Sequence, residues 1–133
     1  MIAGIADTHT ALWYLGGSSR LSAAARKFMD DAAQAGHGIA LSPISLAEVV
    51  YLVEKGRLLV SAYDDLKQAL ANPDYVIEEA PFTLAIVEAM RKVPRTEVPD
   101  LPDRIVAGTA VHLGVPVISC DGRIRASQVQ TVW

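Results

Sequence analysis

Four short apolar segments recur along the chain, and each stops after a few residues. They are "IAGIA" (2–6), "GIALS" (38–42), "YVIEEA" (75–80) and "PVIS" (116–119), with "VQTVW" (129–133) as a possible edge strand. Short and uniformly apolar strands are typical of a parallel sheet that is covered on both faces. The stretches between them have helical character, and this alternation predicts βαβ units with helices on both sides of one sheet.

The predicted helices are bounded mainly by glycine and proline. They cover residues 8–15, 19–35, 43–55, 61–71, 82–92 and 102–113. Ser42 and Pro43 supply an N-cap and a first-turn proline for the third helix, and Gly114 ends the last one. A chain of 133 residues suits a single domain, 1–133, with one core.

Composition excludes several classes of protein. With 51% hydrophobic and 20% charged residues, the chain is too apolar for disorder. A net charge of −3 means that a nucleic acid would have to meet a local basic patch. No apolar run approaches the roughly twenty residues of a membrane span, and the N-terminus lacks the basic region of a signal peptide. Cys120 is the only cysteine, which favours a reducing compartment, so we expect a cytoplasmic protein.

Acidic residues follow the predicted strands in a pattern that suggests a site. Asp7 comes directly after the first strand, and Asp121 follows "PVIS" after one residue. Glu48 lies about two turns into the third helix, and Asp103 lies in the first turn of the last. Ligand sites of open parallel sheets form at the carboxyl ends of the strands, where these acids can converge. Several carboxylates in one cleft repel one another unless a hard cation such as Mg²⁺ or Mn²⁺ compensates.

Each acid also has a purely structural interpretation. Asp7 can cap the first helix, and Asp121 with Gly122 can form a plain turn. In "EVPDLPDRIVAGTA" (97–110), Asp100 is a good N-cap, and Asp103 can reach back to it as in a capping box. We therefore expect Asp100 to be mainly a cap, whereas Asp103 aims a carboxylate at the edge of the sheet.

Five motifs in order resemble the PIN-domain proteins, specifically the VapC-type toxin ribonucleases of toxin–antitoxin pairs. They are "IADTHTALWYL" (5–15), "RLSAAAR" (20–26), "LSPISLAEVVYLVEKGRL" (41–58), "PDLPDRIVAGTA" (99–110) and "VISCDGRIRAS…VQTVW" (117–133). The resemblance implies a three-layer α/β/α fold with a central, mostly parallel sheet of four to five strands. It also implies a Mg²⁺- or Mn²⁺-dependent endoribonuclease, in which the cation activates water for attack on an RNA phosphodiester.

The resemblance also implies roles for individual residues. Asp7 and Asp103 would be the principal metal ligands, and Glu48 and Asp121 would hold waters or a second ion. Thr8, Thr109 and, less directly, Asp100 would support these ligands through hydrogen bonds.

Partners follow from the same resemblance and from the basic residues. The family implies a VapB-like antitoxin whose helix lies in a groove between helices, together with a homodimer or a larger toxin–antitoxin complex. Arg104, Arg123 and Arg125 lie beside the acids in sequence and are candidate RNA contacts, with ordinary solvated surface as the alternative.

Other interpretations remain open at this point. A haloacid-dehalogenase-type phosphatase requires Asp-x-Asp, but residue 9 is His. A receiver domain expects a lysine at the end of a late strand, where residues 116–121 have Ser-Cys-Asp instead. A non-catalytic binding module that acts through its antitoxin complex is the alternative from another class. His9 is expected to be structural, Trp13 to belong to the core or an interface, and Cys120 to be packed. Gly108 replaces a more usual alanine, which predicts slightly relaxed helix packing.

Overall fold

A computed structural model describes all residues, 1–133, as five strands and seven helices. The strands are β1 (Ile2–Ala6), β2 (Gly38–Leu41), β3 (Ile77–Glu79), β4 (Val117–Ile118) and β5 (Thr131–Val132). The helices are α1 (Thr8–Leu15), α2 (Ala23–Gln34), α3 (Pro43–Glu54), α4 (Val60–Ala71), α5 (Leu84–Met90), α6 (Leu101–Leu113) and α7 (Gly122–Ala126). No helix is long and apolar enough to cross a membrane.

All strands form one sheet in the order β3-β2-β1-β4-β5, and every pair is parallel. The expected α/β/α architecture is confirmed, and the sheet is wholly rather than mostly parallel. The chain leaves β1 for β2 on one side and later returns to place β4 on the other side. This change of direction opens a crevice at the carboxyl ends of β1 and β4.

Side chains of each strand alternate between two hydrophobic clusters, one on each face of the sheet. Ala6 and Ile118 belong to the cluster with α1, α2, α3 and α4. Their neighbours Ile5 and Val117 belong to the cluster with α6, α7 and the segment between α5 and α6. Because both faces of the central strands are covered, β2 and β4 are buried throughout and are continuous apolar runs, whereas the edge strand β3 ends in the exposed Glu78 and Glu79.

Two elements differ from the sequence prediction. Residues 122–126 form α7 rather than a plain turn, since Asp121 caps a short helix that the sequence pattern is too brief to reveal. Helix α2 begins at residue 23 rather than 19, because the Ser22 hydroxyl accepts a hydrogen bond from Ala25 N and so defines the N-cap.

Gly108 allows α5 and α6 to pack closely. A Cβ at this position would lie 2.7 Å from Met90 Cγ and 3.2 Å from Met90 Cα. The expectation of relaxed packing at Gly108 is therefore wrong, because the missing side chain lets the backbone of α5 approach that of α6.

Candidate active site

Asp7 ends β1 and is held from two sides. As the N-cap of α1, it accepts a hydrogen bond from Thr10 N through Oδ1 at 2.9 Å. The Ser119 hydroxyl donates to its other oxygen, Oδ2. The Thr10 hydroxyl donates to Ile118 O at 2.7 Å and ties the start of α1 to the end of β4. Asp7 is thus fixed at the carboxyl edge of the two central strands.

Ser119 joins the two acids that follow the central strands, and the sequence interpretation missed it. Its side chain is fully buried directly after β4, and its oxygen accepts a hydrogen bond from Asp121 N at 3.0 Å. The Asp121 carboxylate accepts from Arg123 N and Ile124 N, which begins α7. A polar residue at the buried end of a strand was the signal that would have identified it.

Glu48 reaches the same edge from α3. The Thr8 hydroxyl donates to Glu48 Oε1 at 2.7 Å, so the supporting contact expected of Thr8 is present. Burial raises the pKa of the Glu48 carboxyl, the Thr8 hydrogen bond and His9 act against this, and Asp100 and Asp7 add to it. Glu48 therefore lies close enough to these neighbours for their charges to change its pKa.

Asp100 and Asp103 have different roles at the start of α6. Asp100 caps the helix by accepting from Asp103 N at 3.1 Å, as predicted. The Asp103 carboxylate accepts no hydrogen bond, so the reciprocal half of the predicted capping box is absent. Its side chain is half-buried and available to a ligand.

Burial and repulsion between carboxylates act together at this edge of the sheet. Burial, and then the charges of Asp100, Asp121, Glu48 and Asp7, raise the pKa of the Asp103 carboxyl from 3.8 to about 7. The two ion pairs of the structure, Lys27–Asp31 and Arg91–Glu88, both lie elsewhere. The acids therefore gather without a compensating cation from the protein.

The donor set suits a hard divalent cation in its chemistry. Carboxylate oxygens are the ligands that Mg²⁺ and Mn²⁺ prefer, and a cation would relieve the repulsion at Asp103. The carboxylates are not close enough to one another to bind a metal ion as they stand: no three His, Cys, Asp or Glu side chains are grouped so that they could hold one. Several of the carboxylates instead accept hydrogen bonds from helix N-termini and hydroxyls.

A family model of the PIN domain matches residues 5–128, which include all of these acids. The chain belongs to the PIN-domain family. PIN domains are generally nucleases. A comparison with curated protein sequences finds no significant match.

Three solved structures have the same fold. VapBC2 from Rickettsia felis, bound to a DNA fragment from its promoter, has a TM-score of 0.70 at 17% identity over 98% of this chain and 97% of that chain. A toxin–antitoxin complex from Klebsiella pneumoniae has a TM-score of 0.61 at 20% identity over 93% and 92%. FitAcB from Neisseria gonorrhoeae has a TM-score of 0.56 at 21% identity over 98% and 96%.

The remaining residues singled out from the sequence are Thr109, Arg123, Arg125 and Cys120, and they differ in burial and in hydrogen bonding. The Thr109 hydroxyl donates to Ile105 O within its own helix at 2.8 Å and makes no hydrogen bond to the acids. Arg123 and Arg125 are exposed on α7. Cys120 is also exposed, so the expectation that it is packed is wrong.

Arg104 has a structural role in addition to its place beside Asp103. Its guanidinium donates from Nε to Val93 O at 3.0 Å and from Nη2 to Met90 O at 3.1 Å. These contacts satisfy carbonyls at the end of α5 and anchor the segment that leads to Asp100 and Asp103.

Proposed function

We propose that this PIN-domain protein is a metal-dependent endoribonuclease of the VapC toxin type. The observation that supports the proposal is the approach of acids from other elements to Asp103: burial, and then the charges of these acids, raise its pKa to about 7, and no Lys or Arg forms an ion pair with any of them. Such a cluster is costly in an empty protein and suited to a hard divalent cation with a phosphodiester.

The residues divide the work according to their contacts. Asp7, with its orientation set by Ser119 and Thr10, and Asp103, which accepts no hydrogen bond, would be the principal Mg²⁺ or Mn²⁺ ligands. Glu48 and Asp121 would orient waters, one of them the nucleophile. When bound, the cation would lower the pKa of its water and offset the charge that develops on the phosphate. Exposed Arg123 and Arg125 on α7 would contact the RNA backbone.

Replacing Asp7 tests the catalytic proposal. The purified chain should cut RNA with Mg²⁺ or Mn²⁺, and EDTA should stop the reaction. Asp7→Asn should reduce the cleavage rate by about a hundredfold or more, because the amide lacks the negative charge that binds the cation. Asparagine is as good an N-cap as aspartate, so α1 should be retained. Gel analysis of a labelled RNA measures the rate, and circular dichroism checks the fold.

Asp64→Asn is the matched control, since Asp64 is exposed on α4 and lies outside the site. It should cut RNA at the wild-type rate. Cleavage that persists in EDTA, or in the Asp7→Asn protein, would contradict the metal mechanism. A wild-type chain that binds a partner protein and never cuts RNA would favour the non-catalytic binding module instead.

A VapB-like antitoxin is the proposed protein partner. The solved toxin–antitoxin structures with this fold support the assignment. In the same cleavage assay, a small protein encoded beside this chain should inhibit the enzyme; if no such neighbour binds, the toxin assignment fails.

A second copy of the chain is the other proposed partner. Large apolar side chains are exposed on and next to α5, on the opposite side of the sheet from α4: Phe82, Leu84 and Val87. Exposed apolar residues that lie together on one surface are typical of interaction sites. A homodimer through α5 would cover them.

A further inference from the structure

A groove of about 450 Å³ runs beside α1 and lies outside the cluster of acids. Its lining includes His9 and Trp13 from α1, Arg20 from the following loop, and Arg57 and Leu58 from the segment between α3 and α4. This volume is in the range of sites that enclose a small organic group.

His9 and Trp13 form a stacked pair of rings at the wall of this groove, and Trp133 packs against Trp13 behind it. The His9 and Trp13 rings lie 5.5 Å apart between centroids with an interplanar angle of 26°. The Trp133 ring is tilted against Trp13, with 5.9 Å between the ring centroids and an interplanar angle of 55°. His9 is exposed at the outer end of the stack, whereas both tryptophans are partly buried. The exposed His9 ring is thus the accessible member of the group, and the partly buried tryptophans support it.

The free surface of His9 lies beside the acids. Thr8, the preceding residue, donates its hydroxyl to Glu48 Oε1 at 2.7 Å, and Asp7 precedes Thr8 at the start of α1. Arg20 and Arg57 line the same groove, and neither guanidinium makes a hydrogen bond or an ion pair within the protein. A flat ring and two free cations therefore flank the site on one side.

We propose that His9, supported by Trp13, is the stacking platform for a nucleobase of single-stranded RNA adjacent to the phosphate that is cut. Arg20 and Arg57 bind the phosphates of the neighbouring nucleotides. The proposal rests on the proposed RNA cleavage and identifies how that substrate is held. Base stacking on aromatic side chains, combined with arginine contacts to the backbone, is how proteins bind single-stranded nucleic acid.

Charge favours RNA over an apolar protein helix as the occupant. Arg20 and Arg57 face Asp65, the single acid of the lining, so the groove carries a positive excess. A helix that buried only apolar side chains would leave both guanidinium groups without partners, at a cost in desolvation. A polyanion provides partners for both, and its bases provide faces for the stack.

His9→Ala, compared with His9→Phe, tests the platform. On a short RNA that the wild type cuts, His9→Ala should raise KM about tenfold with kcat nearly unchanged, since one stacked base is lost. His9→Phe should restore KM, because the ring and not the imidazole chemistry is needed. His112→Ala is the matched control, as His112 is exposed at the far end of α6 from Asp103 and should not change KM.

An abasic substrate locates the contact. Removing the base next to the cut should raise the wild-type KM as much as His9→Ala does, and combining both changes should add no further loss. Binding of a non-cleavable 2′-O-methyl RNA should also change the fluorescence of the two tryptophans in the wild type and in His9→Phe, but not in His9→Ala.

Three results would overturn the platform. They are a wild-type KM for His9→Ala, additive losses with the abasic RNA, and a His9→Ala effect confined to inhibition by the antitoxin, which would assign the groove to that protein. Failure of the wild type to cut any RNA counts against the nuclease proposal instead, and the fluorescence titration still tests the platform in that case.

Discussion

Asp103 is the residue whose protonation is most affected by the neighbouring acids. Its carboxylate accepts no hydrogen bond, whereas Asp7 and Glu48 each accept at least one. Its pKa, raised to about 7 by burial and by the neighbouring acids, means that the proton is retained well above the ordinary range. We therefore expect cation binding at Asp103 to depend on pH.

Stability without a divalent cation should fall as the pH rises. The unfolded chain loses the Asp103 proton near the ordinary pKa of 3.8, whereas the folded chain retains it to about 7. The free energy of unfolding that Asp103 contributes is therefore fully present below pH 3.8 and is lost as the pH rises through about 7. Mg²⁺ should bind the ionised form, so its affinity should rise up to about tenfold from about pH 6 to about pH 8.

Thermal unfolding with and without MgCl₂ across this pH range measures both effects. The Asp103→Asn variant, which cannot ionise, should lose this part of the pH dependence. An increase in melting temperature with Mg²⁺ that is the same in acidic and in alkaline buffer would contradict the coupling.

At the scale of elements, the α5–α6 pair delivers Asp103 to the site. The Arg104 guanidinium holds the carbonyls of Met90 and Val93, and Gly108 lets the helices approach. The segment between them carries Val93 and Val98, both buried against the sheet. The position at which α6 begins is therefore set by the packing of α6 and of the preceding segment, and not only by the Asp100 cap.

Gly108→Ala should destabilise the protein by about 1 kcal/mol. The added Cβ would gain about 1 kcal/mol in helix propensity but would overpack against Met90 at about 1–3 kcal/mol. Gly122→Ala is the control, because a Cβ at that position meets no atom within 4 Å. Urea denaturation gives the two values. Equal stability of the two variants would contradict the close approach of α5 and α6.

At the scale of the whole molecule, the wholly parallel sheet separates two surfaces with different proposed partners. The acids occupy its carboxyl edge, the groove lies along α1, and the exposed apolar residues of α5 lie on the other face. Under the proposals above, RNA and a second copy would therefore contact different faces of the chain.

Leu84→Glu should convert a dimer to a monomer. Leu84 is 76% exposed on α5, and a buried carboxylate at a protein interface is strongly unfavourable. Leu59→Glu is the control, since Leu59 is as exposed but lies between α3 and α4. Sedimentation velocity distinguishes the states. A wild-type monomer, or a Leu84→Glu dimer, would show that α5 is not the interface.

Most of the fold could be predicted from the sequence, since its signals are local. The strands and six of the helices lie close to their predicted positions, because apolar runs and caps such as Ser42 and Asp100 depend on nearby residues. Helix α7 was not predicted, because five residues are too few for a periodic pattern. The convergence of Asp7 and Asp121 required only the rule that parallel strands end at one edge.

The class of fold, several helix caps and the resemblance to the family could be read from the residues alone, since these depend on local patterns and on motifs in order. The contacts between groups that are distant in the chain could be found only from the folded arrangement. The Ser119 hydroxyl reaches Asp7 across 112 positions, Arg104 donates to the carbonyls of Met90 and Val93, and Trp133 packs against Trp13 of the His9–Trp13 stack. These contacts depend on how the helices pack on the sheet, because hydrogen bonds and stacking are set by distances of a few ångströms that no local pattern encodes.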